Sequence, residues 1–145
     1  MIEHVNHNDN LLAIIVRKDF SKEGIQFFTP DDFSQQLAYM KRDKDYVIAP
    51  HTHNPHARQV FQTQEVLLIK SGSLRVDFYD ENRNYLESRI LFSGDLILLA
   101  QGGHGFRMLE ETEILEVKQG PYAGDADKTR FESIPESEVI LKVQK

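Results

Sequence analysis

The sequence has no cysteine among its 145 residues, and it has no tryptophan. Without cysteine the chain has no disulfide bond, no thiolate ligand for a metal and no cysteine nucleophile. Any metal ion that it binds must therefore be held by nitrogen and oxygen atoms. This makes the six histidines the residues of most interest.

Positive charge is also scarce. Lysine and arginine number 17 against 23 acidic residues, which gives a net charge of −6. A protein that binds nucleic acid needs a basic surface to neutralise phosphates. We therefore expect no nucleic-acid partner.

Long hydrophobic runs are missing as well. The longest, such as "LLAIIV" at 11–16, are far too short to span a bilayer, and the N-terminus "MIEHVNHNDN" lacks the basic start and apolar core of a signal peptide. We expect a cytoplasmic protein with no membrane partner. The length is that of a single domain, which we expect to span residues 1–145.

Short apolar runs rich in β-branched and aromatic residues recur along the chain between polar or glycine-bearing turns, which is typical of an all-β sandwich or barrel. The predicted strands cover residues 11–16, 25–28, 46–49, 65–70, 74–80, 85–92, 95–100, 106–110 and 113–118.

Two segments depart from this pattern. Residues 29–42, "TPDDFSQQLAYMKR", begin with an N-cap threonine and a proline and carry apolar residues at helical spacing, so they predict one short helix. The tail from 121 to 145 is polar, and its last apolar patch, "VILKV" at 139–143, fits an edge strand or a short helix.

Four polar residues stand where the predicted strands begin or end. If 46–53 ends a strand, His51 and His53 project from the same face, since side chains two residues apart share a face. Glu65 begins an apolar run, where a buried carboxylate requires a partner, and His104 lies in a glycine turn that leads into another strand.

Taken singly, each of these residues also has an ordinary interpretation. A lone His-x-His pair is more often solvated or satisfied in a core, Glu65 fits a strand-edge acid, and His104 fits a turn residue. Their joint arrangement on an all-β chain favours a shared site.

The same residues carry a resemblance to a known family. "HTH" at 51–53, followed by Glu65 with Gly72 at the family's spacing, resembles the first motif of the cupins. "GDLILLAQGGH" at 94–104 resembles the opening of their second motif, with His104 as its histidine. Eleven residues separate His53 from Glu65, so we interpret "NPHARQVF" as an inserted loop.

This resemblance implies a cupin-type double-stranded β-helix, or jelly-roll, barrel over about residues 45–120, preceded by N-terminal strands and the helix within 11–42. It also implies that one divalent transition metal ion is bound by His51, His53, Glu65 and His104. A ligand set of nitrogen and oxygen suits Mn, Fe, Co, Ni or Zn, and the sequence does not select among them.

Alternation along the strands suggests which side chains surround that site. Phe106 and Met108 share a face with His104, as Leu67 and Ile69 do with Glu65, although all four also fit plain barrel core. In the inserted loop, His56 and Arg58 are candidates for contact with a small-molecule ligand, or are simply solvated.

The resemblance leaves the function open among several classes. We expect a metal-dependent enzyme acting on a small polar metabolite such as a carbohydrate derivative, with isomerase and epimerase among the candidate activities and no catalytic residue assigned. The alternatives are a dioxygenase and a non-catalytic barrel that binds a small ligand. The family commonly forms dimers through N-terminal strands, so a homodimer is also expected, with "LLAIIV" apolar enough on both faces to be buried by a partner or by the second sheet.

Overall fold

A computed structural model describes residues 1–143 and shows an all-β protein. These residues form ten strands and two single-turn 3₁₀ helices. The strands are β1 (Ile2–His7), β2 (Asn10–Val16), β3 (Gly24–Phe27), β4 (Ala38–Lys41), β5 (Glu65–Ser71), β6 (Ser73–Tyr79), β7 (Tyr85–Phe92), β8 (Leu96–Leu99), β9 (Gly103–Met108) and β10 (Glu113–Lys118), and the 3₁₀ helices are Gly124–Ala126 and Glu136–Glu138.

The strands form three antiparallel sheets, and none of the three closes on itself within the described residues. The largest has five strands in the order β1-β2-β8-β5-β10, the second has three in the order β7-β6-β9, and β3 pairs with β4 alone. Strands β9 and β10 each end a sheet, so among residues 1–143 each has one edge that no other strand covers.

One hydrophobic cluster joins the five-stranded and three-stranded sheets. Ile15, Leu67 and Ile97 from the larger sheet pack with Val76 and Phe78 from the smaller one, and all are buried. In each case the strand alternates, so every second side chain faces the cluster. The two sheets therefore lie face to face as in a sandwich.

Tight glycine turns connect the central strands, as the sequence predicts. Gly72, between β5 and β6, has φ of +79°, and Gly94, between β7 and β8, has φ of +90°. Glycine adopts these left-handed conformations without the steric cost that other residues incur. A Cβ atom at position 72 would also clash with the backbone oxygen of Glu111.

Eight of the nine predicted strands are confirmed, within a few residues at their ends. Strand β1 was not predicted, because "IEHVNH" has too few apolar residues to stand out. Strand β2 lies between β1 and β8, with Ala13, Ile14 and Ile15 fully buried. Its apolarity on both faces is therefore accounted for within one chain.

The helix predicted for residues 29–42 is wrong. Residues 38–41 form β4, which pairs with β3, and the residues between them form the connecting loop. The hydroxyl of Thr29, interpreted as a helix N-cap, instead accepts a hydrogen bond of 3.1 Å from the backbone N–H of Leu37. Threonine side chains stabilise turns as well as helix starts. Here the β3-β4 hairpin forms instead of the helix.

The strand predicted at 46–49 is also absent. Within the described chain, the segment 42–64 forms no strand, and Tyr46, Val47 and Ile48 are exposed. Apolar and β-branched residues favour an extended strand only when a neighbouring edge supplies hydrogen bonds, and no strand of residues 1–143 does so here.

The C-terminal segment runs along the outer side of the three-stranded sheet. Leu141 forms an isolated parallel bridge with Ser88 on β7, so "VILKV" is neither a regular strand nor a helix in its described part. Residues 144 and 145, the end of the predicted tail, lie outside the described residues. None of the helices described in residues 1–143 has the length and apolarity needed to cross a membrane.

Candidate functional site

Two of the four predicted metal ligands meet between the sheets. The Nε2 atom of His104, on β9, lies 3.2 Å from the Oε2 atom of Glu65, at the start of β5. The Glu65 side chain is 8% exposed and that of His104 is 29% exposed. The acid expected to need a partner therefore has one, from the opposite sheet.

Strand register explains this meeting. On β5, Glu65 shares a face with Leu67 and Ile69, which are in the core cluster, as predicted. On β9, His104 is paired with Phe78 of β6, whose ring is also in the core. Both side chains therefore point into the space between the sheets.

Phe106 and Met108 follow His104 on the same face of β9, as alternation predicts. They pair with Val76 and Leu74, which are buried, but they are themselves 37% and 47% exposed. The difference arises because β9 is the last strand of its sheet. The ring of Phe106 lies 5.3 Å from that of His104, measured between centroids.

A lysine from a third strand completes the charge balance of the site. The Nζ atom of Lys118, on β10, lies 3.6 Å from Oε1 of Glu65. The hydrogen bond with His104 is the main reason that the pKa of Glu65 is lowered; burial opposes the shift, and His104 and Lys118 add favourable charge. Desolvation lowers the pKa of Lys118, but the carboxylates of Glu116 and Glu65 outweigh it and hold that pKa above its usual value.

Glu65 and His104 line an open pocket of about 540 Å³. Tyr79 and Phe106 also line this pocket, as do Lys128 and Phe131 of the C-terminal segment. The volume falls within the range of pockets that hold small molecules.

The other two predicted ligands lie elsewhere. His51 and His53 are exposed in the segment between β4 and β5, with ring centroids 5.3 Å apart. The Nδ1 atom of His51 is 2.9 Å from the backbone oxygen of Ala49. The structure thus holds the four residues as two separate pairs, and no group of three or more potential ligands is assembled within residues 1–143. The four-ligand set stays a prediction.

His56 and Arg58, the predicted ligand-contacting residues of the inserted loop, are also exposed. Their one polar contact with each other is a weak hydrogen bond of 3.4 Å from Arg58 to the backbone oxygen of His56. Neither His56 nor Arg58 is among the described residues that line the Glu65–His104 pocket. A role for them in ligand binding stays a prediction.

Three residues of the site were not predicted from the sequence. Lys118 closes the run "EILEVK", and its position opposite Glu65 follows only from the pairing of β10 with β5. Tyr79 ends β6, where it fits ordinary core. Phe131 lies in a polar segment whose course the sequence does not indicate.

Comparisons of the chain with protein-family models, with curated proteins and with solved structures found no match. The resemblance to the cupins therefore stays a prediction that rests on the motifs themselves.

Proposed function

We propose that this chain is a metal-binding cupin, and that His104 and Glu65 are the preformed half of its metal site. The observation that supports this most is the 3.2 Å contact between their side chains at the edge of an open pocket. The other half is His51 and His53. The cupin-type jelly-roll barrel belongs to the same proposal.

The preformed pair fits a metal ion. Two donor atoms that each lie about 2.1 Å from an ion are about 3.0 Å apart when the angle at the ion is near 90°. The separation of 3.2 Å is close to that value. One imidazole nitrogen and one carboxylate oxygen also match the donor types that the predicted metals accept.

The segment 42–64 can complete the site by pairing with β9. The free edge of β9 offers unpaired backbone groups, and Tyr46, Val47 and Ile48 are exposed apolar residues suited to a strand. Such a strand would cover Phe106 and Met108, whose exposure results from the missing neighbour.

The chain is long enough for segment 42–64 to pair with β9 while Glu65 stays in β5. Thr63 lines the pocket, and it lies ten positions beyond His53 in the sequence. Ten extended residues span up to about 33 Å, so the inserted loop can return from the free edge of β9 to β5. Pairing of this segment with β9 therefore requires no change in the five-stranded or the three-stranded sheet.

The chemistry that we propose is a metal-dependent reaction on a small polar metabolite, such as a carbohydrate derivative. A metal ion at such a site supplies Lewis-acid activation of a carbonyl or hydroxyl oxygen. Lys128 can donate hydrogen bonds from its ammonium group, and Phe106 offers an apolar face to a sugar ring. The pocket carries both kinds of group, as binding sites for polar metabolites do.

Metal analysis tests this proposal. Protein dialysed against Zn²⁺ or Mn²⁺ and then freed of excess ion should retain about one equivalent, and His53→Ala and Glu65→Ala should each lose it while remaining folded by circular dichroism. His56→Ala, an exposed histidine outside the predicted set, is the matched control and should retain the ion. Wild-type protein that retains no metal after any loading would disprove the proposal.

A second candidate function is a non-catalytic pocket that binds a small ligand without a metal. It is favoured by one observation: Glu65 already has two partners, His104 and Lys118, so its charge is balanced by the protein alone. On this alternative, loading yields no stoichiometric metal. Binding of sugars or organic acids, measured by calorimetry, would then be lost in Glu65→Ala and unaffected by chelators.

A further inference from the structure

The C-terminal segment lines the pocket and then crosses the outer face of the three-stranded sheet. Residues 127–131 and Ser133 form part of the pocket wall. The chain then continues across the outer face of the β7-β6-β9 sheet to Lys142. We call residues 127–142 the strap.

At the pocket, the strap is attached through Tyr79. The ring of Phe131 packs edge-on against the ring of Tyr79, with centroids 5.0 Å apart. The Tyr79 hydroxyl accepts a hydrogen bond of 2.9 Å from the backbone N–H of Ile134. Gly103 makes room for this contact, since a Cβ atom there would lie 2.9 Å from the Phe131 ring.

In its middle, the strap is attached by one ion-paired carboxylate. Glu136 accepts a hydrogen bond of 2.6 Å from the guanidinium of Arg75 on β6, and it also pairs with Arg107 on β9. The Arg75 side chain is 6% exposed, whereas that of Glu136 is 59% exposed. A charged hydrogen bond to a buried guanidinium is a strong contact for an otherwise exposed segment.

Arg75 does not depend on the strap for its charge balance. Its guanidinium also donates two hydrogen bonds to Asp77, of 2.7 and 3.1 Å. Removal of the Glu136 charge therefore leaves the sheet with a paired, buried arginine. The strap would lose a contact that the sheet does not need.

The remaining attachments of the strap are mostly polar and lie near its end, where Nζ of Lys142 is 2.5 Å from Oε2 of the buried Glu87 on β7. The backbone N–H of Ile140 donates to the Tyr85 hydroxyl, and its carbonyl accepts from Ser88. Ile134 and Val139 are the half-buried apolar residues of the part from 131 to 142, and none there is fully buried. Segments with so little apolar burial open at a lower free energy than the core does.

We propose that the strap is a releasable wall of the Glu65–His104 pocket and that Glu136 is its latch, so that the pocket widens and admits a ligand more readily when the strap lifts. This rests on the proposed function only in taking this pocket as the ligand site. The Phe131 side chain is then a pocket wall that moves with the strap.

Two measurements on chelator-treated protein test the proposal. Hydrogen exchange reports release of the strap, and the rate at which diethyl pyrocarbonate acylates His104, followed by mass spectrometry, reports access to the pocket. Glu136→Gln should accelerate exchange at residues 134–142 by about tenfold or more and raise the His104 labelling rate severalfold, with strand β6 unchanged. Glu138→Gln, in the same 3₁₀ helix, is the matched control and should alter neither rate.

Each other outcome overturns the proposal. Unchanged exchange in the strap means that Glu136 is not a latch, and faster exchange in β6 means that it supports the sheet itself. A released strap with an unchanged His104 rate means that the strap does not govern access. Phe131→Ala should raise the His104 rate with the latch intact, and no increase there would show that Phe131 is not part of the wall.

Failure of this proposal is distinguishable from failure of the proposed function. Both measurements are made without metal, so the absence of a metal site changes neither of them. Conversely, if these tests show that the strap is not a releasable wall, the metal stoichiometry expected for the wild type and for His53→Ala does not change.

Discussion

His104 and Glu65 connect the two main sheets through a contact of 3.2 Å between Nε2 and Oε2. The carboxylate begins β5 of the five-stranded sheet, and the imidazole lies on β9 of the three-stranded sheet. Because a buried carboxylate is costly without a partner, this contact lowers the cost of placing Glu65 between the two sheets.

Stability should depend on pH through Glu65. The pKa of Glu65 lies below its ordinary value of 4.5 in the folded protein, so the unfolded chain takes up the proton first as the pH falls. The stabilising contribution of Glu65 is complete above about pH 5 and is lost as the pH falls toward the folded-state pKa. The unfolding free energy, measured by urea denaturation, should therefore fall less steeply with acid in Glu65→Gln than in the wild type.

The control for this experiment is Glu81→Gln, which removes an exposed acid from the turn between β6 and β7. It should reproduce the acid dependence of the wild type. Equal slopes for the wild type and Glu65→Gln would contradict the lowered pKa.

The strands that can be predicted from the sequence are those whose side chains are mostly apolar and buried in the core. The runs that became β5, β7 and β8 are recognisable because apolar residues, turn glycines and strand length all agree. That Glu65 needs a partner could be predicted as well, because it is a carboxylate at the start of an apolar run, and His104 is that partner.

Contacts that depend on tertiary pairing could not be predicted. "TPDDFSQQLAYMKR" has a helical pattern, yet pairing of β4 with β3 and the hydrogen bond from Leu37 to Thr29 outweigh it. Lys118 enters the site because β10 is in register with β5, and Glu136 reaches Arg75 across 61 positions of sequence. Neither register nor long-range ion pairing is encoded in a local pattern.

The turn between β5 and β6 should tolerate only glycine at position 72. Gly72→Ala combines a positive φ with a clash between its Cβ atom and the Glu111 oxygen, so we expect it to lower the unfolding free energy by about 2 to 3 kcal/mol. Gly124→Ala is the matched control, since Gly124 also has a positive φ of +65° but a Cβ atom there would meet no other atom within 4 Å. It should cost about 1 kcal/mol. Equal losses in thermal denaturation would show that the clash is relieved by local movement.

The carboxylate of Asp95 should be a major source of stability. Asp95 is 3% exposed and accepts hydrogen bonds from Arg17 and from the backbone N–H groups of Lys18 and Phe92. Asp95→Ala leaves these donors without that partner and should cost about 3 kcal/mol in chemical denaturation.

One further variant separates the contribution of charge from that of hydrogen bonding to the stability that Asp95 provides, and a second serves as a control. Asp95→Asn keeps one acceptor oxygen and should lose less stability than Asp95→Ala. Asp19→Ala removes an exposed acid that pairs with the N-terminal amine, and it should leave the denaturation midpoint nearly unchanged. An Asp95→Ala midpoint as high as that of Asp19→Ala would contradict a buried structural role.

Metal binding should order the segment that carries His51 and His53. If these histidines join Glu65 and His104 on one ion, residues 46–53 must leave solvent and pair with β9, and their amides become protected. Hydrogen exchange at 46–53 should slow by about tenfold or more in the wild type with saturating Zn²⁺, because an ion that binds only the closed form stabilises it. Glu65→Gln should abolish the protection, and His56→Ala should preserve it. Zn²⁺ bound at one equivalent with unchanged exchange at 46–53 would show that the ion is held without His51 and His53.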